Sequence, residues 1–474
     1  MAPMKKIALY IILCCIFTQL SAQEKWSFEE CVAYALDNNL NVSQSKLNIE
    51  YAKNNVLQNK MNIYTPNINV NVVEGFNFAN SVDPLTYQFI QQSTNSTTLG
   101  MFIDFTLFQG LNRMMNLKAS SLELTATQLE QMEMENSTKL ILANHYLNAL
   151  LAKEALQIAQ EQQILTLNQY TNTLELVKVG ELAKGDQYEV EAQIANDEVN
   201  VVTAENTLQN ALNQIKFVLQ LDPFQAFDIE ELKVQEITMD EQLTDIGMLA
   251  KNAVNALPNV KSAELRQKAA LYKLKAARGS LSPSISVSGY LGSNYFSAAQ
   301  RQVGETMVAT PIGFVSGSND IVISNFQQPI FGDKSFGMQV GDNLNQNIRI
   351  NLNIPLFGKW QRMIAIDNAK LGILQSDFEV KTKQNSLNQD IFTAQTSLSA
   401  ATKQFNANKK NLEAAGVAFS YAEEKFNFGI INTYEFETAK NRLLSAQIGL
   451  AQSKFEYLFR EAIVRFYETG ELTF

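Results

Sequence analysis

Between Leu111 and Lys178 the chain carries neither a proline nor a glycine. A continuous helix of that length reaches about 100 Å at ~1.5 Å per residue, too long for the core of a globule. A second such stretch runs from Trp360 to Asn427, interrupted only by Gly372 and Gly416. Both stretches end at a glycine, Gly180 in Leu-Val-Lys-Val-Gly and Gly429 in Lys-Phe-Asn-Phe-Gly. Glycine is the residue that most readily takes the left-handed cap of a helix end. New helices can then begin at Asp186 and Thr433, so each rod is expected to fold back as a hairpin. The return helices are predicted over Asp186–Leu221 and Thr433–Tyr467. In the second, Leu443, Leu450, Tyr457 and Val464 recur with the heptad spacing of a coiled coil.

The two rods belong to a duplicated plan. Leu107-Phe108 recurs as Leu356-Phe357 and Gly180 recurs as Gly429, so the spacing from Phe108 to Gly180 equals that from Phe357 to Gly429. Upstream the two halves are offset by less: Asn41-Val42 recurs as Asn259-Val260, and Pro66 as Pro283. The second half therefore carries an insertion between Gly292 and Asn347, containing Gly304, Gly313, Gly317 and Gly332. In each half a helix precedes the proline, with helical spacing over Asp37–Met61 and over Ile246–Leu281. Past the proline the period changes to two. Asn67-Ile68-Asn69-Val70-Asn71-Val72 and Ser284-Ile285-Ser286-Val287-Ser288 alternate short polar with β-branched residues. Leu99, Met101, Ile103, Phe105 and Leu107 alternate in the same way, as do Ile348, Ile350, Leu352 and Ile354.

Such alternation fits a half-buried strand of a soluble sheet as well as a strand with one face in lipid. Context favours lipid, because Gly/Asn/Ser-rich segments join the strands at one end, rods flank the other, and no helix is left to cover the sheet. Lys5 and Lys6, the apolar run Ile7–Phe17 and Leu20-Ser21-Ala22 read as a secretory leader over 1–22. After Gln23 no apolar run is long enough for a membrane-spanning helix, so any membrane insertion must use strands. Four strands cannot close a barrel, whereas two copies supply eight and three supply twelve.

The remaining composition narrows the function. The formal charge is −10, and −12 once the two leader lysines are removed, which argues against a nucleic-acid partner. Cys14 and Cys15 lie in the leader, leaving Cys31 and the single histidine His145 in the mature chain. No intrachain disulfide and no Cys/His metal site is expected, and no cofactor motif or catalytic signature such as HExxH or GxSxG is found. A bulky Leu13 before Cys14 argues against lipidation at that position. His145 reads as a rod residue, and Trp26 and Phe28 as the anchor of the mature N-terminus.

The paired helix-proline-strand junctions at Pro66 and Pro283, the Leu-Phe marks at Phe108 and Phe357, and the glycine tips at Gly180 and Gly429 resemble the TolC-like outer-membrane efflux protein family. The resemblance covers nearly the whole mature chain. It implies a mainly α fold with a membrane β-barrel portion: duplicated strand and long-helix halves, a trimeric 12-stranded β-barrel, and a periplasmic α-helical barrel continuous with it. The expected organisation is a signal peptide (1–22), an N-terminal helix (23–65), a first barrel hairpin (66–108) and a first long helical hairpin (109–221). An equatorial connecting region (222–245) and the helix opening the second half (246–282) follow. A second barrel hairpin with an enlarged extracellular loop (283–357) and a second helical hairpin with the C-terminal end (358–474) complete it.

The resemblance further implies a homotrimer in the outer membrane of a Gram-negative bacterium, reaching into the periplasm. Such a trimer is a passive exit duct for an inner-membrane transporter docked through a periplasmic adaptor protein, in contact with outer-membrane lipid and with no catalysis of its own. Export of polypeptides by a type I secretion system, or a structural coiled-coil role in the envelope, are the alternative readings. The family's adaptor-docking tips map to Val179, Gly180 and Glu181 and to Phe428, Gly429 and Ile430. Its entrance constriction maps to Asp186 and Glu435, where three copies of Glu435 would concentrate negative charge and favour cations. Both acids also sit where helix N-termini favour negative charge. Some relatives carry an arginine two residues past the second tip glycine, where this chain has Ile431.

Overall fold

The computed structural model describes residues 25–82, 87, 89–231, 247, 249, 253, 257–318, 320–358 and 360–472. The leader and Phe474 lie outside them, as does the 232–245 part of the connecting region. The chain forms two compact units, one of residues 1–54, 121–269 and 373–474, the other of residues 55–120 and 270–372.

The first unit is helical. It opens with β1 (Lys25–Trp26) and α1 (Phe28–Asn38), which starts on a capping box: Ser27 Oγ accepts from Glu30 N at 3.2 Å and Ser27 N donates to Glu30 Oε2 at 2.8 Å. The helix expected over Asp37–Met61 is broken at Asn39, and α2 covers Leu40–Tyr64. Asn39 has extended backbone, its Oδ1 accepts from Asn41 N at 2.9 Å, and its Nδ2 reaches Val218 O at 2.9 Å. A side chain that caps the new helix and satisfies a distant carbonyl outweighs one more turn of helix. The rods are α3 (Asn112–Val179) and α7 (Gln361–Asn427), with return helices α4 (Lys184–Leu219) and α8 (Thr433–Thr469). No described helix is long and apolar enough to cross a membrane.

The duplication continues into the packing of this unit. One buried cluster gathers Cys31, Ala35, Leu142 and Ile215; the other gathers Leu249, Ala253, Ile391 and Val464. Leu249 and Ala253 follow Cys31 and Ala35 by the same offset that separates Asn259 from Asn41. Ile391 and Val464 follow Leu142 and Ile215 by the larger offset that separates Gly429 from Gly180. The two offsets that relate the sequence halves therefore also relate their cores. As expected, Trp26 and Phe28 anchor the start of the described chain. Trp26 packs edge-on against Tyr34 at 5.2 Å, Phe28 meets Tyr146 at 5.6 Å, and β1 pairs in parallel with β4 (Asp228–Ile229). The Tyr146 hydroxyl lies 2.8 Å from Glu230 O and 3.1 Å from Trp26 O, tying both strands to the rod. His145 is half-buried on the same rod, and burial lowers its pKa.

Burial also pushes the Cys31 thiol up to about 12, with Glu30 and Glu29 adding to the effect. An unfolded thiol ionises near 9.0, so the native state holds this proton over a range in which the unfolded state has lost it. The stability it contributes is complete below pH 9 and is lost as pH rises toward 12, at about 1.4 kcal/mol per pH unit. Native protein at pH 8 is expected to resist iodoacetamide at Cys31 and to react fully in denaturant. Equal rates in both states would contradict the buried placement.

The second unit is built on a four-stranded antiparallel sheet in the order β2 (Asn67–Val82), β3 (Phe89–Gln109), β5 (Ser284–Phe296), β8 (Asn345–Asn353). The prolines act as expected: α2 ends two residues before Pro66 and β2 begins directly after it, while α5 (Pro258–Gly279) ends ahead of Pro283 and β5 begins directly after it. Register puts Val70, Met101, Leu291 and Gln346 in one row across the sheet, and Ile68, Ile103, Gly289 and Ile348 in the next. The face so defined carries Ile68, Val70, Val72, Met101, Ile103, Leu291, Ile348, Ile350 and Leu352, all solvent-exposed in the single chain. The opposite face is mainly polar: it carries Asn67, Asn69, Asn71, Asp104, Ser286, Ser288, Arg349 and Asn351, with Asn351 Nδ2 donating to Ser288 Oγ at 3.1 Å, and one aromatic pair, Phe102 and Tyr290, with ring centroids 4.9 Å apart.

The insertion, expected to belong to an enlarged extracellular loop, has regular structure of its own. It forms a second hairpin, β6 (Gln300–Phe314) with β7 (Ile321–Asp333), followed by α6 (Phe336–Asp342). One buried amide fixes its base. Gln339 Oε1 accepts from Phe296 N at 2.9 Å, and its Nε2 donates to Phe296 O at 3.0 Å and to Lys334 O at 2.7 Å. The side chain thus takes the place of a ladder partner at the end of β5.

Candidate functional site

The two ends of the first unit that the sequence singles out are its helix turnarounds, and they share one geometry. At the first, Gly180 has φ +83° and its N–H donates to Val177 O at 3.2 Å, while Glu181 N donates to Leu176 O at 2.9 Å. At the second, Gly429 has φ +66°, its N–H donates to Phe426 O at 2.9 Å, and Ile430 N donates to Lys425 O at 2.8 Å. Both are Schellman closures, in which two crossed bonds satisfy the last carbonyls and the left-handed residue is glycine. A Cβ added to either glycine meets nothing within 4 Å, so conformation and not packing fixes the residue type.

The tips present apolar residues to solvent. Val179 is 71% exposed, Phe428 81% and Ile430 69%. Large apolar side chains held outward on rigid turns, with Glu181 also exposed beside them, suit recognition by another protein.

The structure separates the two acidic positions. Asp186 is half-buried and occupied: its Oδ2 accepts from Ala183 N at 3.0 Å, and its Oδ1 accepts from Thr433 Oγ1 of the other hairpin at 3.2 Å. Ala183 has no side-chain oxygen to complete a capping box, so Asp186 alone serves this helix start, and it is at the same time a link between the two turnarounds. Glu435 is exposed, in the first turn of α8, where Asn432 Oδ1 caps its backbone N at 2.8 Å. Its carboxylate is the more available of the two for a role in an aqueous entrance. Ile431 is half-buried.

One group of residues was not singled out by sequence reasoning. Gln162, Thr166, Gln169 and Thr173 on α3, Asp197 on α4, and Glu437 and Lys440 on α8 are all buried. The signal was present in the spacing: 162, 166, 169 and 173 follow the steps of a coiled-coil seam, with amides and hydroxyls where apolar residues are usual. Among the described residues no group of His, Cys, Asp and Glu is arranged to hold a metal ion.

Comparison with known proteins places this geometry. The family described as "Outer membrane efflux protein" matches residues 249–465. Outer membrane protein TolC of Salmonella enteritidis is 22% identical over 387 residues, covering 80% of this chain and 70% of that protein. Among solved structures, CusC aligns over 95% of both chains with a TM-score of 0.73 at 16% identity. The CmeC outer membrane channel of Campylobacter jejuni aligns over 94% of this chain and 85% of its own, with a TM-score of 0.71 at 15% identity. With its duplicated plan, a second half that matches the outer membrane efflux protein family and a fold shared with CusC and CmeC along almost its full length, this chain is similar to the outer membrane efflux proteins in sequence and has their fold.

Proposed function

We propose that the chain is the exit duct of a tripartite efflux system, working as a homotrimer that passively conducts substrates from an inner-membrane transporter and a periplasmic adaptor. The observation that carries this reading is the sheet. It has one apolar and one mainly polar face, both exposed in the single chain, and its outer strands β2 and β8 are each bonded on one side only among the described residues. A sheet of this kind needs lipid against one face, water against the other, and partners for both edges.

The topology supports closure by identical copies. All three pairings in the sheet are antiparallel and the strand number is even, so β2 and β8 run in opposite directions. The edge of β8 in one copy can therefore pair with the edge of β2 in the next and keep the alternation unbroken around a ring. Each edge also continues into exposed apolar residues: Leu57, Met61 and Tyr64 ahead of β2, and Leu356, Phe357, Trp360 and Ile364 after β8. Pairing the edges would bring these stretches together.

The adaptor reading rests on the tips, whose Val179, Gly180, Glu181, Phe428, Gly429 and Ile430 form two rigid, apolar, outward turns. Asp186 and Glu435, just beyond them, are the residues proposed to narrow the entrance. No catalytic role is assigned to the chain; the family consists of channels. The test is photo-crosslinking from positions 181 and 430 in intact envelopes, with mass spectrometry of what is captured. Capture of a periplasmic adaptor is the expected result, and the class of transporter recovered with it would separate small-molecule efflux from polypeptide export. Capture of only the chain itself would favour a structural coiled-coil role.

A further inference from the structure

The second hairpin is held together and held to the first by different chemistry. Within it, Phe436 of α8 stacks on Phe426 at 4.7 Å and packs against Phe419 at 5.6 Å, both on α7. Such an aromatic seam is indifferent to pH. Toward the first hairpin, α8 instead presents Lys440 and Glu437, which are 3% and 9% exposed. Lys440 Nζ donates to Thr166 Oγ1 at 2.6 Å and to Gln169 Oε1 at 3.4 Å on α3, and lies 3.7 Å from Glu437 Oε2. Thr166 Oγ1 donates in turn to the carboxylate of Asp197 on α4, which is 1% exposed and also accepts from Gln193 Nε2 at 2.8 Å. Three helices from two hairpins meet at this cluster.

The charges do not balance. The groups that titrate here are Asp197 from α4 and Glu437 and Lys440 from α8; the residues that α3 contributes are neutral. With all three ionised, two carboxylates face one ammonium in a site shielded from water. No donor meets either Glu437 oxygen in hydrogen-bond geometry; Lys440 Nζ stands off at 3.7 Å. Burial raises the Glu437 pKa against the opposing pull of Lys440 and Gln169, with Asp197 adding to the rise, and burial lowers that of Lys440 against the pull of Glu437 and Asp197. An apolar seam at this place would bind at least as well, so a buried ionic cluster suits an attachment that must be specific and reversible.

We propose that the cluster is a proton-operated latch between the hairpins: protonation of Glu437 leaves Asp197 and Lys440 in balance and seats α8 on the first hairpin, and loss of that proton loosens the seat. The second hairpin then moves as one body, because its aromatic seam stays intact. The sign follows from linkage. A carboxyl with a raised native pKa stabilises the seated state at low pH, and that contribution is lost as pH rises through the raised value. The consequence for conduction rests on the duct reading; the latch does not, and it is tested on the hairpins directly.

The experiment uses the full chain, purified in detergent, in a Cys31→Ala background with Thr173→Cys as reporter. Thr173 is 1% exposed on α3, in the polar seam one turn beyond Gln169 toward the tip. Maleimide labelling is measured at pH 5.5 and pH 8.5 and normalised at each pH to the denatured chain, which removes the thiol's own pH dependence. The reporter thiol is expected to be protected at pH 5.5 and to lose that protection at pH 8.5. Glu437→Gln, which mimics the protonated state, is expected to be protected at both pH values, and Lys440→Met, which leaves two unpaired carboxylates, at neither. Should Lys440→Met fail to assemble, Glu437→Gln still decides. A wild-type reporter with no pH dependence, or the same pH dependence in Glu437→Gln, overturns the latch. The duct reading is untouched by that result and fails on the crosslinking test instead.

Discussion

Gly279→Ala is expected to leave little folded protein in the membrane. A Cβ at position 279 would lie 2.3 Å from the carbonyl oxygen of Gly110, and one at position 110 would lie 2.0 Å from that of Gly279. Both obstacles are backbone, at the place where β3 passes into α3 and α5 approaches its end, so no side chain can swing aside. Gly110 has the further requirement of φ +55°. Asn112 Nδ2 donates to Ala276 O at 2.7 Å across the same junction, and that bond would part with the rest. Overpacking typically costs about 1–3 kcal/mol, occasionally more, and a clash with unyielding backbone belongs at the upper end of that range, a large fraction of the stability of a typical domain. The measurement is heat-modifiable migration of the assembled protein, together with its yield in membranes. Gly416→Ala provides the contrast: nothing lies within 4 Å of its Cβ position in α7, and removing a helical glycine stabilises by about 1 kcal/mol. If the two variants assemble equally well, the close approach of positions 110 and 279 does not exist in the protein.

Ile350→Arg and Asn351→Arg are expected to fail and to succeed, respectively. The two positions are adjacent on β8 and differ only in the face on which they stand. Ile350 pairs with Val287 in the apolar rows, whereas Asn351 pairs with Ser286 among the polar residues. On the duct reading, an arginine near the middle of a lipid-facing strand costs about 2–4 kcal/mol per copy, and three copies would bear it together. On the polar face the same side chain stays in water, next to the existing Arg349. Asn351→Arg is therefore expected to assemble normally and to shift the ion preference of a reconstituted pore toward anions. The readouts are trimer yield for both variants and single-channel selectivity for the second. Equal tolerance would mean that neither face is in lipid and would undo the duct reading at its base.

Much of this arrangement could be read from residue patterns because the patterns follow local rules. A proline disfavours helix on its N-terminal side and marked the change to strand at Pro66 and Pro283. A glycine at the end of a rod marked each turnaround, and both rods close within one or two residues of the places read for them. Alternation of Ile68, Val70 and Val72 with three asparagines described the two faces of β2 before any partner strand was known. Asn39 was a harder case: its side chain ends one helix and begins another while reaching Val218, far along the chain, and no window of sequence shows that bond. The inserted segment was harder still. Its base depends on Gln339 filling the backbone of Phe296 and Lys334, a long-range substitution for a strand partner.

The polar seam at Lys440 sets the limit. Its α3 members stand in heptad register, so the sequence determined that one stripe of this rod is polar. Whether that stripe faced water or protein could not be decided, because period reports only that residues share a face. The tertiary structure decided it by laying α4 and α8 against the stripe, bringing Asp197 and Lys440 to the same hydroxyl from different halves of the chain. By itself the sequence determined the duplicated order of rods, turns and strands, because each of those is fixed by interactions within a few residues. The burial of charge was left to the fold, because burial depends on which distant helix arrives to exclude the water.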